Sequence, residues 1–304
     1  MPDICLLGTG GMLPLKSRFL TSLYVEHNGH ALLIDCGEGT QVAAGVHDLK
    51  MSRIDTLLIT HEHADHVTGL PGLLLSIGNC SRNQPLDIYL PEKCIKNVSS
   101  LMAVCGYLPY EVVFHGLSAE EPTSFIAEKI DSMLTVDTIP LKHGTPCLGY
   151  RLTFSKKPVF LPEKAKQLGI PVNMWKLLHS GESVTLPDGK TFTSADVTGD
   201  AKPPIKITYV TDSLPLPEIA DFAKDSDLFI CEGMYGDIEK KSSMNDKGHM
   251  LMQDACEIAK NADAKRLWLT HYSPAMEAPQ DYEQELKEIF SGVVVSKDGE
   301  RISL

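Results

Sequence analysis

Short apolar runs recur along the chain, bounded by glycine, asparagine and aspartate, and they read as strands. Residues 4–7 are such a run and lead into Gly8-Thr9-Gly10-Gly11. Residues 22–26 and 31–34, joined by His27-Asn28-Gly29-His30, predict a hairpin. Residues 56–59 end in Thr60-His61, and residues 266–269 end in Thr270-His271. Two buried strands closing on the same dipeptide suggest two related halves. Between the strands, residues 70–77, 93–105, 248–260 and 281–290 read as helices, the third with apolar positions at Leu251, Ala255, Ile258 and Ala259. Strands and helices interleaved in this way imply an α/β domain with two sheets or one large mixed sheet.

Composition narrows the class. With 304 residues, 43% hydrophobic and 22% charged, the chain can bury a sizeable core, and its length suits one large or two modest domains. No apolar stretch approaches the roughly 18 residues of a membrane span. The start lacks the basic segment and cleavage site of a secretory signal. Eight cysteines, at 5, 36, 80, 94, 105, 147, 231 and 256, form no Cys-x-x-Cys pair and read as reduced thiols of a cytoplasmic protein. Any metal site must therefore use histidines and carboxylates.

Net charge is −12, which disfavours indiscriminate binding to nucleic acid. One segment runs against it. Residues 151–176 carry six Lys and Arg against Glu163 alone, so +5, which leaves −17 for the rest. Inside it, residues 161–169 predict a short helix with proline near its start and glycine at its stop.

The densest chemistry is Thr60-His61-Glu62-His63-Ala64-Asp65-His66. Imidazole and carboxylate suit zinc. In an irregular loop, His61 and His63 can turn to one ion while Asp65 and His66 turn to a second. A two-metal site needs further ligands, and His143, Asp212 and His271 each follow an apolar strand, where site residues gather in α/β proteins.

His-x-His-x-Asp-His with a later His, Asp and His is similar to the metallo-β-lactamase superfamily. More narrowly, the chain resembles the ribonuclease Z family of tRNA 3′-processing endonucleases. The matching stretches are Leu6-Leu7-Gly8-Thr9-Gly10-Gly11, Pro14-Leu15-Lys16-Ser17-Arg18, Leu33-Ile34-Asp35-Cys36-Gly37-Glu38-Gly39-Thr40-Gln41, Lys142-His143-Gly144, Gly149-Tyr150, Tyr209-Val210-Thr211-Asp212-Ser213 and Thr270-His271-Tyr272-Ser273. The resemblance implies an αββα sandwich, two mixed sheets flanked by helices, as a single domain over 1–304. It implies two zinc ions, manganese being an alternative. One is held by His61, His63 and His143, the second by Asp65, His66 and His271, with Asp212 bridging. Asp65 is also implied as proton acceptor. His249, paired with Glu62, is expected to protonate the leaving oxygen as a metal-bridged hydroxide attacks phosphorus.

The implied activity is endonucleolytic removal of the 3′ trailer of precursor tRNA, leaving a 3′-hydroxyl, by a homodimer without membrane attachment. Residues 155–180 stand where the family carries a tRNA-gripping arm, with Lys164 and Lys166 as phosphate contacts. Lys16 and Arg18 are expected at the RNA end near the metals. Two departures stand out: Met250 follows His249 where the family has Ser or Thr, and Val172-Asn173-Met174-Trp175 replaces a Gly-Pro-rich tip. Alternatives are a hydrolase of small phosphodiesters, such as cyclic nucleotides or phosphonate-pathway esters, and a non-catalytic metal- or RNA-binding module.

Overall fold

The computed structural model describes residues 1–240 and 246–304. Two seven-stranded sheets organise the larger of two compact units, Met1–Thr153 with Ile205–Leu304. The first sheet runs β16 (Arg301–Ser303), β1 (Asp3–Gly8), β2 (Ser22–His27), β3 (His30–Ile34), β4 (Ile54–Leu58), β5 (Leu86–Pro91) and β6 (Val112–Leu117). The second runs β15 (Val293–Val295), β14 (Leu267–Thr270), β13 (Leu228–Glu232), β12 (Ile205–Val210), β9 (Cys147–Phe154), β8 (Leu134–Leu141) and β7 (Ser124–Ile126). Each sheet is mixed. Parallel pairing joins β3 to β6, and β12 to β15, with antiparallel pairs toward one edge.

Strands buried on both faces read as continuous apolar runs, and these do. In the first sheet Cys5, Leu7, Leu33, Leu57 and Ile59 pack under the helices Thr40–Val46 and Leu70–Asn79. Their neighbours Leu6, Leu32, Ile34 and Leu58 are also fully buried. The second sheet packs in the same way against Met252–Asn261, Pro217–Phe222 and Glu283–Ile289. Tyr150 Oη on β9 donates to Ile59 O at 2.7 Å, and Leu148 N–H donates to Thr60 O at 3.0 Å. These bonds hold the end of β4 against the second sheet, where the His-rich loop begins.

The predicted hairpin forms, Leu23 pairing with Ile34. Two helices differ from expectation. Residues 93–105 break into a 3₁₀ turn, the helix Ile95–Ser100 and a second 3₁₀ turn. Ser99 and Ser100 bond back to Lys96 O and Asn97 O, competing with the helical ladder. The helix expected from residue 248 starts at Met252, because Gly248 has φ +75° and Asp254 caps it by accepting Leu251 N–H.

The second unit, Phe154–Pro204, is longer than the expected arm at 155–180 and holds a two-stranded sheet of β10 (Val184–Thr185) and β11 (Thr191–Phe192). Charge marked only its first half. Its own small core joins Ala165, Ile170 and Leu178 to Val184 and Val197, which lie beyond residue 180. Met174 and Trp175, which stand where a Gly-Pro-rich tip was expected, pack on that core, and Trp175 Nε1 donates to Ile170 O at 2.9 Å. The short helix at 161–169 is Pro162–Gln167, with Lys164 and Lys166 exposed.

Seven of the eight cysteines are buried, Cys80 is exposed, and all are free. Among the described residues, no helix is long and apolar enough to cross a membrane.

Candidate metal centre

Strand ends build the site. His61 and His63 follow β4, His143 follows β8, Asp212 follows β12 and His271 follows β14. Asp212 (φ 54°) and His271 (φ 59°) adopt left-handed backbone, as does Asp35 (φ 61°) just after β3. Such conformations are unusual outside glycine and cluster at functional sites. Gly11 is required for a different reason: a Cβ there would meet the His271 ring at 2.7 Å.

The seven residues expected as ligands come together. Ligand atoms of His61, His63, His143 and Asp212 lie within 4.8 Å of one another, as do those of Asp65, His66 and His271. Asp212 faces both groups. Its Oδ1 is 3.2 Å from His271 Nε2 and 3.3 Å from His66 Nε2, and its Oδ2 is 3.7 Å from the Nε2 atoms of His61 and His143. His143 Nε2 lies 3.0 Å from His63 Nδ1, and His271 Nε2 lies 3.3 Å from both His66 Nε2 and Asp65 Oδ2. Ligands at 2.0–2.1 Å from a tetrahedral ion sit about 3.3 Å apart, so this spacing fits a divalent metal. His61 Nε2 is buried with no hydrogen-bond partner, as expected of an atom waiting for a Lewis acid.

The opposite ring nitrogens are held from behind. His66 Nδ1 pairs with Asp35 Oδ2 at 2.8 Å, and His143 Nδ1 with Gly248 O at 3.1 Å. Such contacts fix which nitrogen faces the ion. Met12 N–H donates to Asp65 Oδ2 at 2.6 Å.

The charges follow the same geometry. Burial alone would discharge His66 and His271, but Asp212 with Asp35 lifts the first, and Asp212 with Asp65 and Glu232 lifts the second to about 10. Burial wins at His61 and His143, which fall below the ordinary histidine value. At Asp65 burial works upward, yet His271 and His66 hold the carboxyl below its usual range.

His249 is placed differently from expectation. Its Nδ1 pairs with Glu232 Oε2 at 2.9 Å, not with Glu62. Glu62 instead accepts from Asn97 Nδ2 at 2.8 Å. Glu232 is fully buried, and its other oxygen accepts Ser213 N–H at 2.6 Å. Sequence reasoning missed it, although a carboxylate closing the buried strand β13 repeats the pattern of the other strand-end residues. Asp35 was likewise given no role. At His249 burial works downward, but Glu232 and Asp212 raise the imidazole above its ordinary value.

Arg18 is also corrected. It is buried rather than presented to substrate, with Nη1 3.4 Å from Ser273 O, Nη2 3.0 Å from Met276 O, and its guanidinium over the Tyr272 ring. Lys16, at the tip of the turn that Leu15 and Arg18 close, is exposed. A cleft of about 240 Å³ opens over the cluster, its walls including Met12, Met234, Tyr235, Lys247 and His249.

Comparison with known proteins extends this picture. The family model described as "Anti-Pycsar protein Apyc1" matches residues 2–161. The chain is 44% identical to the ribonuclease Z of Lachnospira eligens, covering 100% of this chain and 98% of the relative. It is 42% identical to that of Clostridium acetobutylicum over 98% and 96% of the two chains. Among solved structures, the short form of human tRNase Z has TM-score 0.68 at 24% identity over 99% and 98% of the chains. The metallo-β-lactamase fold protein YhfI of Bacillus subtilis has TM-score 0.69 at 18% identity over 99% and 98%. At those identities the structural likeness carries the fold.

Proposed function

Because the chain belongs to the ribonuclease Z family, and over residues 2–161 to the family described as Anti-Pycsar protein Apyc1, we propose that it is a metal-dependent endoribonuclease that removes the 3′ trailer of precursor tRNA. Its fold is the αββα metallo-β-lactamase sandwich. The observation that carries the reading is Asp212, whose two oxygens face the two histidine groups.

In this reading His61, His63 and His143 would hold one zinc ion and Asp65, His66 and His271 a second, with Asp212 as the ligand that would serve both. Such a pair supplies Lewis acidity at the scissile phosphate and water ionised near neutral pH. Asp35 and Gly248 O keep His66 and His143 in the tautomer that presents Nε2. Asp65, held ionised between His271 and His66, suits a ligand better than a proton acceptor.

Cleavage that leaves a 3′-hydroxyl on the tRNA requires a proton for the departing 3′-oxygen. His249 lines the cleft, and Glu232 on Nδ1 leaves its Nε2 free to give that proton. Against the downward pull of burial, Glu232 and Asp212 raise the imidazole above its ordinary value, which favours the protonated form. The hydroxyl lost with Met250 is not needed for this: Met250 is fully buried and packs in the second sheet's core.

The lysines of the second unit suit RNA phosphates on an otherwise acidic protein, and Lys16 suits the RNA end. A small phosphodiester would fit the same cleft but has no use for those lysines. A homodimer is supported by exposed apolar side chains: Val42 and Val46 on one helix, Leu75 on the helix packed beside it, then Val104 and Tyr107. Light scattering that reads a monomer contradicts it. The buried free thiols suit a cytoplasmic setting.

The test of the activity is incubation of metal-loaded protein with end-labelled precursor tRNA and mapping of both new termini. The expected products are tRNA ending in a 3′-hydroxyl and a trailer beginning with a 5′-phosphate. Intact precursor overturns the reading.

A further inference from the structure

Behind the metal cluster one hydroxyl has four polar neighbours and one proton. Thr60, fully buried, places Oγ1 3.0 and 2.9 Å from the two oxygens of Asp35, 3.0 Å from His61 Nδ1 and 3.5 Å from His66 Nδ1, which lies closer to Asp35 Oδ2. Asp35 already accepts Thr60 N–H at 2.8 Å and faces His66 Nδ1 at 2.8 Å, so every group around it is a donor. The hydroxyl proton therefore points to the carboxylate, and the hydroxyl oxygen is left to accept from His61 Nδ1–H. The competing acceptor, Cys147 Sγ, is 3.8 Å away and weaker. With the proton on Nδ1, the lone pair of His61 sits on Nε2, the buried atom that lacks a partner.

We propose that Thr60 is a positioning residue: its hydroxyl relays the Asp35 carboxylate to His61, so that one buried carboxylate orients a histidine in each metal group, His66 directly and His61 through Thr60. The relay rests on the metal reading above. A similar dipeptide at Thr270-His271 lacks it, for Thr270 Oγ1 has no hydrogen-bond partner among the described residues. That difference supplies an internal control.

The experiment measures zinc affinity by chelator competition for the wild type, Thr60→Val, Thr60→Ser and Thr270→Val, with thermal unfolding to check the fold. Thr60→Val is expected to weaken zinc binding by about ten- to a hundredfold, with Thr60→Ser restoring most of it. Thr270→Val is expected to bind as the wild type does. Wild-type affinity in Thr60→Val, or equal losses in the Val and Ser variants, overturns the proposal. Should Thr60→Val fail to fold, long-range ¹H–¹⁵N spectra of the metal-free wild type decide instead: His61 protonated on Nδ1 supports the relay, and on Nε2 refutes it. A wild type that binds no zinc sinks the metal reading, while that spectrum still judges Thr60.

Discussion

His249 Nδ1 lies 2.9 Å from Glu232 Oε2, and both side chains are buried beside the metal cluster. A buried carboxylate on one ring nitrogen orients the ring and favours its protonated form, leaving the other nitrogen to meet substrate. His249→Ala is expected to lower kcat on precursor tRNA by about 10²–10⁴ while bound metal stays normal. Glu232→Gln should lower kcat as well, and the double variant should be no worse than the worse single one. Glu62→Gln, at a side chain bonded to Asn97, should leave turnover near wild type. Steady-state kinetics with metal analysis checks all four.

Arg18 donates to two backbone carbonyls in the loop that follows His271. Arg18→Ala strips Met276 O of this donor and leaves Ser273 O with Met276 N–H alone, which should cost about 1–3 kcal/mol of unfolding free energy. Denaturant melts read that loss, and KM should be little changed. A raised KM at unchanged stability would return Arg18 to the substrate.

Metal uptake should expel protons. His66 and His271 are raised in the metal-free protein, His271 to about 10, against about 6.5 in an unfolded chain. Their contribution to metal-free stability is therefore full below about pH 6.5 and is lost as pH climbs through the folded value. Ligands must be neutral imidazoles, so zinc affinity should rise from pH 6 to 8. Calorimetry in buffers of different ionisation enthalpy should read net proton release near pH 7. No release would mean that these rings are already neutral.

Lys164 and Lys166 lie exposed on one short helix. Reversing both to glutamate should raise KM for precursor tRNA and reduce the salt dependence of binding by roughly one to two phosphate contacts. Hydrolysis of bis(p-nitrophenyl) phosphate should be unchanged. Equal losses on both substrates would remove the RNA-binding role.

How far the sequence foretold this molecule depended on whether the information was local. The His-rich loop was legible because four candidate ligands fall within six residues, and His143, Asp212 and His271 because each ends an apolar strand. Glu232 was not, since its meaning comes from β13 lying between β12 and β14, which carries its carboxylate to His249 and His271. Arg18 looked like any basic residue in a loop; only folding brings Ser273 O and Met276 O to it. Charge marks residues 151–176 whereas the second unit runs Phe154–Pro204, because Val184 and Val197 complete its core without any charge signal.

The central claim is that this cluster works as a pair of metal ions. Metal-free protein titrated with zinc, with precursor-tRNA cleavage followed at each addition, tests it most directly. Activity is expected to rise to a plateau at two zinc ions per chain and to vanish with Asp212→Ala. A plateau at one ion, or full cleavage by protein stripped of metal, would contradict the account.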